Sequence, residues 1–240
     1  MIKYGIKIHK KFLKNFKLNK EFISIIPVRD GSKGLPKKNI KKINGIPLYR
    51  IAIDQALRVT KRCILSTDIK EIIDQPQSES CIVHKRKKDL CTDNSQMKDV
   101  ILNIIEEYKL EKYFIVLLQA TSPLRLDSDI DKCIKLFLSN PDCMVVSAAK
   151  ENPEILKSGF IDKDGFFKGL RDTADCFKNR QNLPPVYKPN GSIYIFSAKH
   201  FLNSNSFPTK LIKIFEMPKD RSLEIDSQED YDKVVKYLNI

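Results

Sequence analysis

Short, nearly unbroken apolar runs alternate with amphipathic stretches along this chain, and that alternation restricts its fold more than any other feature. "FISIIPV" (22–28), "CILS" (63–66), "CIVH" (81–84), "YFIVLLQ" (113–119), "CMVVSAA" (143–149), "GSIYIFS" (191–197) and "LIKIFEM" (211–217) each have the length of a strand. Between them lie helical periods. One runs from Pro47 to Leu57, with proline expected at its first turn. A second carries Val100, Ile101, Ile104, Ile105 and Tyr108, and a third opens at Ser128 with Ile130, Ile134, Phe137 and Leu138. The last carries Tyr231, Val234, Val235 and Leu238. Strands that are apolar on both faces, separated by helices, predict an α/β fold: a mostly parallel sheet in the middle of three layers. Residues 150–188 break the pattern with Pro153, Pro184 and Pro185 and read as an insertion or arm. Residues 1–21 form a separate basic arm, leaving 22–240 as the domain.

Charge is concentrated. The formal net charge is +13; residues 1–20 hold seven lysines and no acid, and residues 29–42 hold six cations against Asp30. The remainder is nearly neutral. A nucleic-acid binder spreads its cations along a face or groove, so no nucleic-acid partner is expected. The loop points instead to a compact anion. In the arm, Ile8, Phe12 and Phe16 fit a basic amphipathic helix, with an unstructured or extended lead-in as the alternative. Its lysines are spread through the apolar residues, so no cleaved leader is expected. No apolar run approaches the eighteen or so residues of a membrane span, so no integral membrane segment is expected. The six cysteines form no C-x-x-C pair, which suits reduced thiols in a cytoplasmic protein rather than a zinc framework.

In a sheet of this kind ligands bind outside the carboxyl ends of the strands. Polar motifs fall there repeatedly. In "RDGSKGLPKKN" (29–39), Gly31 and Gly34 permit close backbone approach and an anion nest, while Arg29, Lys33 and Lys38 can neutralise phosphates. A solvated lysine loop is the alternative. Neither G-x-x-x-x-G-K-[ST] nor G-x-G-x-x-G is present. In "SLEIDSQED" (222–230), Glu224 and Asp226 alternate as on a strand. Both would face one way and could share a divalent cation; alternatively they are surface acids before a helix cap at Ser227. "LQATSPLR" (118–125) offers Gln119, Thr121 and Ser122 as neutral hydrogen-bonding groups and Arg125 as a fixed cation, or simply turn chemistry around Pro123. Asn190–Gly191 reads as a turn, and Tyr194 as strand core or site. With no framed Ser/His/Asp set and no cysteine paired to a motif histidine, covalent nucleophilic catalysis is disfavoured. The inventory suits electrostatic handling of phosphate charge.

The same residues carry a family resemblance. "IIPVRDGSKGLPKKNI" resembles the acylneuraminate cytidylyltransferase signature I-I-P-A-R-x-G-S-K-G-x-P-x-K-N. "LLQATSPLR" resembles L-Q-P-T-S-P-L-R, "NRQNLPPVYKPNGSIYIF" resembles R-Q-x-L-P-…-R-P-N-G-A-I-Y-I, and "SLEIDSQEDYDKV" resembles S-x-D-I-D-x-x-x-D. Order and spacing agree from about Phe22 to the C-terminus. The resemblance implies a Rossmann-like nucleotidyltransferase fold that transfers CMP from CTP to a nonulosonic acid, a nine-carbon acidic sugar, with release of pyrophosphate. It implies nucleotide binding by Arg29, Gly31, Ser32, Lys33, Gly34, Lys38, Asn39 and Arg86, with Arg29, Lys33 and Asp226 catalytic. It puts Gln119, Arg180, Lys188, Asn190 and Tyr194 on the sugar side and gives Mg2+ (or Mn2+) to Glu224 and Asp226. It makes residues 150–188 a dimerisation arm reaching a partner's site, hence a homodimer. Ala120 stands where the family has proline, Lys188 where it has arginine and Glu224 where it has aspartate. A nucleotidyltransferase for Kdo or a sugar phosphate, and a catalytically idle binding subunit of the same fold, are the other readings.

Overall fold

The computed structural model describes residues 22–31, 34–76 and 78–238. The basic arm 1–21, together with Ser32 and Lys33 of the glycine-bearing loop, lies outside the described residues.

The strands are β1 (Phe22–Val28), β2 (Lys42–Ile43), β3 (Ile46–Pro47), β4 (Cys63–Thr67), β5 (Cys81–Lys85), β6 (Phe114–Leu118), β7 (Met144–Glu151), β8 (Gly159–Ile161), β9 (Phe167–Gly169), β10 (Val186–Ser197) and β11 (Ile212–Glu216). The helices are α1 (Leu48–Val59), α2 (Lys70–Ile73), α3 (Met97–Tyr108), α4 (Asp127–Leu138), α5 (Ala198–Ser204) and α6 (Gln228–Leu238). Every apolar run expected to be a strand is one. Pro47 sits just before α1 rather than inside its first turn, and α4 opens one residue earlier than Ser128.

Seven strands form one sheet in the order β11-β7-β10-β6-β1-β4-β5. All pairings are parallel except the two made by β10, which runs antiparallel to both β6 and β7. From β1 the chain moves outward through β4 and β5, then returns to place β6 on the other side of β1. The strand order therefore reverses at β1, and the loops leaving β1 and β6 diverge from a common crevice.

Burial explains the layers. On one face of the sheet Ala52, Ile53 and Ala56 of α1 and Ile130, Cys133 and Phe137 of α4 pack over Ile26, Val28, Leu65 and Val116. The Phe137 ring meets Phe114 edge-on at 4.9 Å and Phe22 at 6.1 Å. On the other face Ile101, Ile104 and Ile105 of α3 and Phe201 of α5 pack over Ile23, Ile25, Ile115 and Leu117. A third, smaller cluster joins Leu35, Ile43, Leu48, Leu124, Ile225 and Val234 beneath the loops at the carboxyl edge.

Three expectations need correction. Asn190–Gly191 is not a turn between elements: it lies inside the twelve-residue β10, where the register with β7 shifts between Pro189 and Tyr194. Gly191 takes φ +71° there, a conformation that favours glycine. Residues 222–226 belong to no strand. The insertion is shorter than 150–188, because β7 continues to Glu151 and β10 resumes at Val186; between them lie single helical turns and the separate β8–β9 hairpin.

Candidate active site

The crevice at the reversal point holds a cavity of about 360 Å³, lined by Pro27, Arg29, Gly34, Lys38, Asn39, Arg86, Met97, Gln119, Thr121 and Asp226. That volume lies in the range of small-ligand sites. Arg29 leaves the end of β1, and its Nη1 donates to Asp93 Oδ1 at 2.9 Å. Both partners are partly exposed, and such a pair is worth only ~0–1 kcal/mol, so Arg29 can change partner cheaply. Asn39 is buried, and its Nδ2 donates to the Arg29 carbonyl at 2.9 Å, closing the loop on its own start. Gly31 has φ +73°. Gly34 has no room for a side chain, since a Cβ there would sit 2.5 Å from the Asp226 carbonyl oxygen.

That close approach brings the two ends of the domain together. Lys38 Nζ donates to Asp226 Oδ1 at 2.7 Å. Ile225, fully buried in the third cluster, anchors the acidic segment, and its N–H donates to the Thr121 carbonyl at 2.9 Å. With Ile225 turned inward, Asp226 lines the cleft, and Glu224 accepts from Thr121 Oγ1 at 3.1 Å. Burial pushes the Glu224 carboxyl above the usual glutamate range, and the Asp226 charge pushes the same way; the Thr121 bond, Lys38 and Lys188 oppose them. Gly191 accommodates this carboxylate: a Cβ there would lie 2.9 Å from Glu224 Oε2.

The donor set suits a hard cation. The Asp226 charge raises the proton affinity of Glu224, the Thr121 hydroxyl donates to Glu224, and no histidine or cysteine lines the cavity. Among the described residues no group of three or more His, Cys, Asp or Glu could enclose a metal. Magnesium asks for no such cage: one or two carboxylates plus phosphate oxygens and water suffice.

Arg86, after β5, is buried. Its Nη2 donates to the Ser66 carbonyl at 3.0 Å and its Nε to Ser66 Oγ at 3.3 Å. Arg125, a candidate cation of the cleft from sequence, is instead a buried brace. Its Nη1 donates to the carbonyls of Gln119 (3.2 Å) and Ser192 (2.7 Å), and its Nε and Nη2 donate to Gln55 Oε1. Burial pulls its pKa down to about 10, which leaves it charged at neutral pH. It ties α1, the loop after β6 and β10 together under the site.

The sugar-side residues separate. Gln119 lines the cleft. Tyr194 is half-buried, its ring 6.4 Å from Phe207, and burial and the Glu224 charge push its phenol up. Lys188 is exposed on β10, near enough to act on Glu224. Asn190 does not offer its side chain to the cleft. Its Oδ1 accepts from Ser147 Oγ (2.6 Å) and the Ser192 N–H (3.2 Å), and its Nδ2 donates to Ser222 Oγ (2.9 Å) and Met217 Sδ (3.3 Å). It clips β7, β10 and the 217–222 loop together. Arg180 lies on the insertion and lines a different cavity, of about 440 Å³, with Lys150, Gln181 and Leu183.

The sequence pattern of the family described as Cytidylyltransferase matches residues 23–238. The chain is 33% identical over 227 residues to an N-acylneuraminate cytidylyltransferase of Streptococcus agalactiae serotype V, covering 90% of this chain and 53% of that one. It thus spans about half the length of the streptococcal relative. It is 30% identical over 232 residues to a CMP-N,N'-diacetyllegionaminic acid synthase of Legionella pneumophila, covering 91% and 96%. A solved CMP:2-keto-3-deoxy-manno-octonic acid synthetase, in complex with CTP, superposes with a TM-score of 0.67 at 16% identity, covering 91% of this chain and 98% of that one; this likeness is one of fold.

Proposed function

Since the chain belongs to the cytidylyltransferase family, we propose that it transfers CMP from CTP to the anomeric hydroxyl of a nonulosonic acid, releasing pyrophosphate. One observation carries this reading: Arg29, Lys38, Arg86 and Asp226 line one crevice between β1 and β6, with Glu224 close enough to Asp226 to feel its charge. The names of the streptococcal and Legionella relatives support the substrate class.

The anomeric oxygen attacks the α-phosphorus, a P–O bond forms, the α–β anhydride bond breaks, pyrophosphate leaves and the hydroxyl proton is released. Arg29 leaves Asp93 for the phosphates, at little cost because that pair is exposed. Lys38 exchanges Asp226 for phosphate oxygens as a compact point charge. Lys33, outside the described residues, adds a further cation to the same loop. Charge on the leaving group is thereby met by groups already in place. Glu224 and Asp226, with Thr121 orienting the former, would hold Mg2+ or Mn2+. When bound there, a divalent cation would supply Lewis acidity toward phosphate charge and the attacking hydroxyl.

On the insertion, Phe160, Ile161, Phe166 and Phe177 are exposed, Phe177 by 88%. Four large apolar side chains left in water on one segment suit a surface covered by another chain. It supports a homodimer in which the arm delivers Arg180 toward the partner's sugar site. Among the described residues no helix is long and apolar enough to cross a membrane, and the scattered free cysteines support a cytoplasmic location.

The test is pyrophosphate release with CTP, UTP or GTP, Mg2+ and a panel of acid sugars. Release with CTP and a nonulosonic acid is expected. Release confined to Kdo or a sugar phosphate would replace the substrate, and CTP binding without release on any sugar would make the protein an idle binding subunit.

A further inference from the structure

Arg86 is the most buried cation of the cleft, and its geometry depends on a chain of groups outside it. The guanidinium can only donate, so in its Nε bond to Ser66 Oγ the hydroxyl is the acceptor and keeps its own hydrogen for another partner. That partner is His84. Ser66 on β4 and His84 on β5 are register partners across a parallel ladder, and His84 Nδ1 lies 3.0 Å from Ser66 Oγ. The imidazole is 1% exposed and meets the Tyr108 ring edge-on at 5.9 Å. Its other nitrogen, Nε2, is buried without a hydrogen-bond partner, as is Asn103 Oδ1, and lies 3.5 Å from Glu107 Oε2. In the neutral ring with its proton on Nε2, on the side of the Glu107 carboxylate, Nδ1 is a bare acceptor and the Ser66 hydroxyl donates to it. Burial favours the neutral ring, although Glu107 pulls the other way and the Arg86 charge reinforces burial. In that tautomer the relay runs from Arg86 Nε–H to Ser66 Oγ–H to His84 Nδ1.

We propose that His84 is a positioning residue for nucleotide binding, fixing through the Ser66 hydroxyl the orientation in which Arg86 presents its remaining donors to the cleft. This inference rests on the cleft being the CTP site. Without the Nδ1 acceptor, the Ser66 hydrogen must seek another partner and its oxygen turns away from Arg86 Nε. The guanidinium then keeps only its bond to the Ser66 carbonyl, about which it can pivot. His84 never touches the nucleotide.

The experiment is calorimetric titration of CTP with Mg2+ into the full chain and its variants. His84→Leu and Ser66→Ala should each weaken CTP about tenfold, the size of one misdirected charge-assisted hydrogen bond. His84→Asn, whose amide oxygen falls near the Nδ1 position, should recover most of the loss. In an Arg86→Ala background, His84→Leu should weaken CTP no further, because its effect passes through Arg86. A His84→Leu or Ser66→Ala protein that binds CTP as tightly as wild type overturns the proposal. So does a His84→Leu loss that persists in full without Arg86, which would mark a general packing role. Should His84→Leu fail to fold, Ser66→Ala and His84→Asn decide alone. If wild-type protein gives no heat with CTP, the cleft assignment falls and this inference with it; wild-type binding with indifferent variants removes the inference only.

Discussion

Glu224 is a carboxylate held where its charge is unwelcome, and that gives it a testable signature. Its folded pKa lies above the ordinary value of 4.5, chiefly through burial and then through Asp226. A raised carboxylate binds its proton more tightly folded than unfolded. Its contribution to stability is therefore full below pH 4.5 and is lost as pH rises through the folded value. Glu224→Gln should melt higher than wild type at pH 7, with the gain vanishing below about pH 4.5, while transferase activity is lost. A variant that melts lower at pH 7 would contradict the strained-pair geometry. Gly34 gives a second residue-scale prediction. Alanine there meets the Asp226 carbonyl at 2.5 Å, and relieving that clash moves Lys38 or Asp226. Gly34→Ala should cost about 1–3 kcal/mol in thermal unfolding and most of the turnover. Unchanged turnover would show that the loop tolerates displacement.

At the scale of elements, the strands and helices were legible because their burial is two-sided or periodic. Phe137 illustrates this: it follows the helical spacing of α4 in sequence and proves fully buried against Phe22 and Phe114. Phe137→Ala should destabilise the fold by about 3–5 kcal/mol in chemical denaturation, with CTP affinity of the folded fraction retained. A loss under 1 kcal/mol would mean the site repacks freely. What sequence hid follows from contacts across the chain. Glu224 and Asp226 mimic strand alternation, yet it is Ile225, drawn into a cluster with Leu35 and Leu124, that aims them. Asn190–Gly191 has turn composition, yet β10 continues through it as a bulge whose glycine makes room for Glu224. Ser66 and His84 lie 18 residues apart and meet only because β4 and β5 pair in register. Arg29, Arg86 and Gln119 line one crevice because each directly follows a strand, and the carboxyl edge of a parallel sheet gathers such positions.

For the whole molecule, the described domain presents two unlike surfaces: a charged crevice at the strand-order reversal and an apolar arm inserted between β7 and β10. The arm predicts association. Phe160→Glu with Phe177→Glu should convert a dimer into a monomer in analytical ultracentrifugation, leaving the domain's unfolding midpoint nearly unchanged, since both rings are exposed. An unaltered sedimentation coefficient would move the interface elsewhere. If Arg180 serves a neighbour's sugar site, that double variant should also lose acid-sugar turnover while keeping CTP binding. Cytidylyl transfer in the crevice is read out by mass spectrometry of wild-type protein incubated with CTP, Mg2+ and individual nonulosonic acids. A CMP-linked sugar with equimolar pyrophosphate, absent for Asp226→Ala, is the predicted result. Well-folded wild-type protein that binds CTP and yields no CMP-sugar from any of the acids would contradict it.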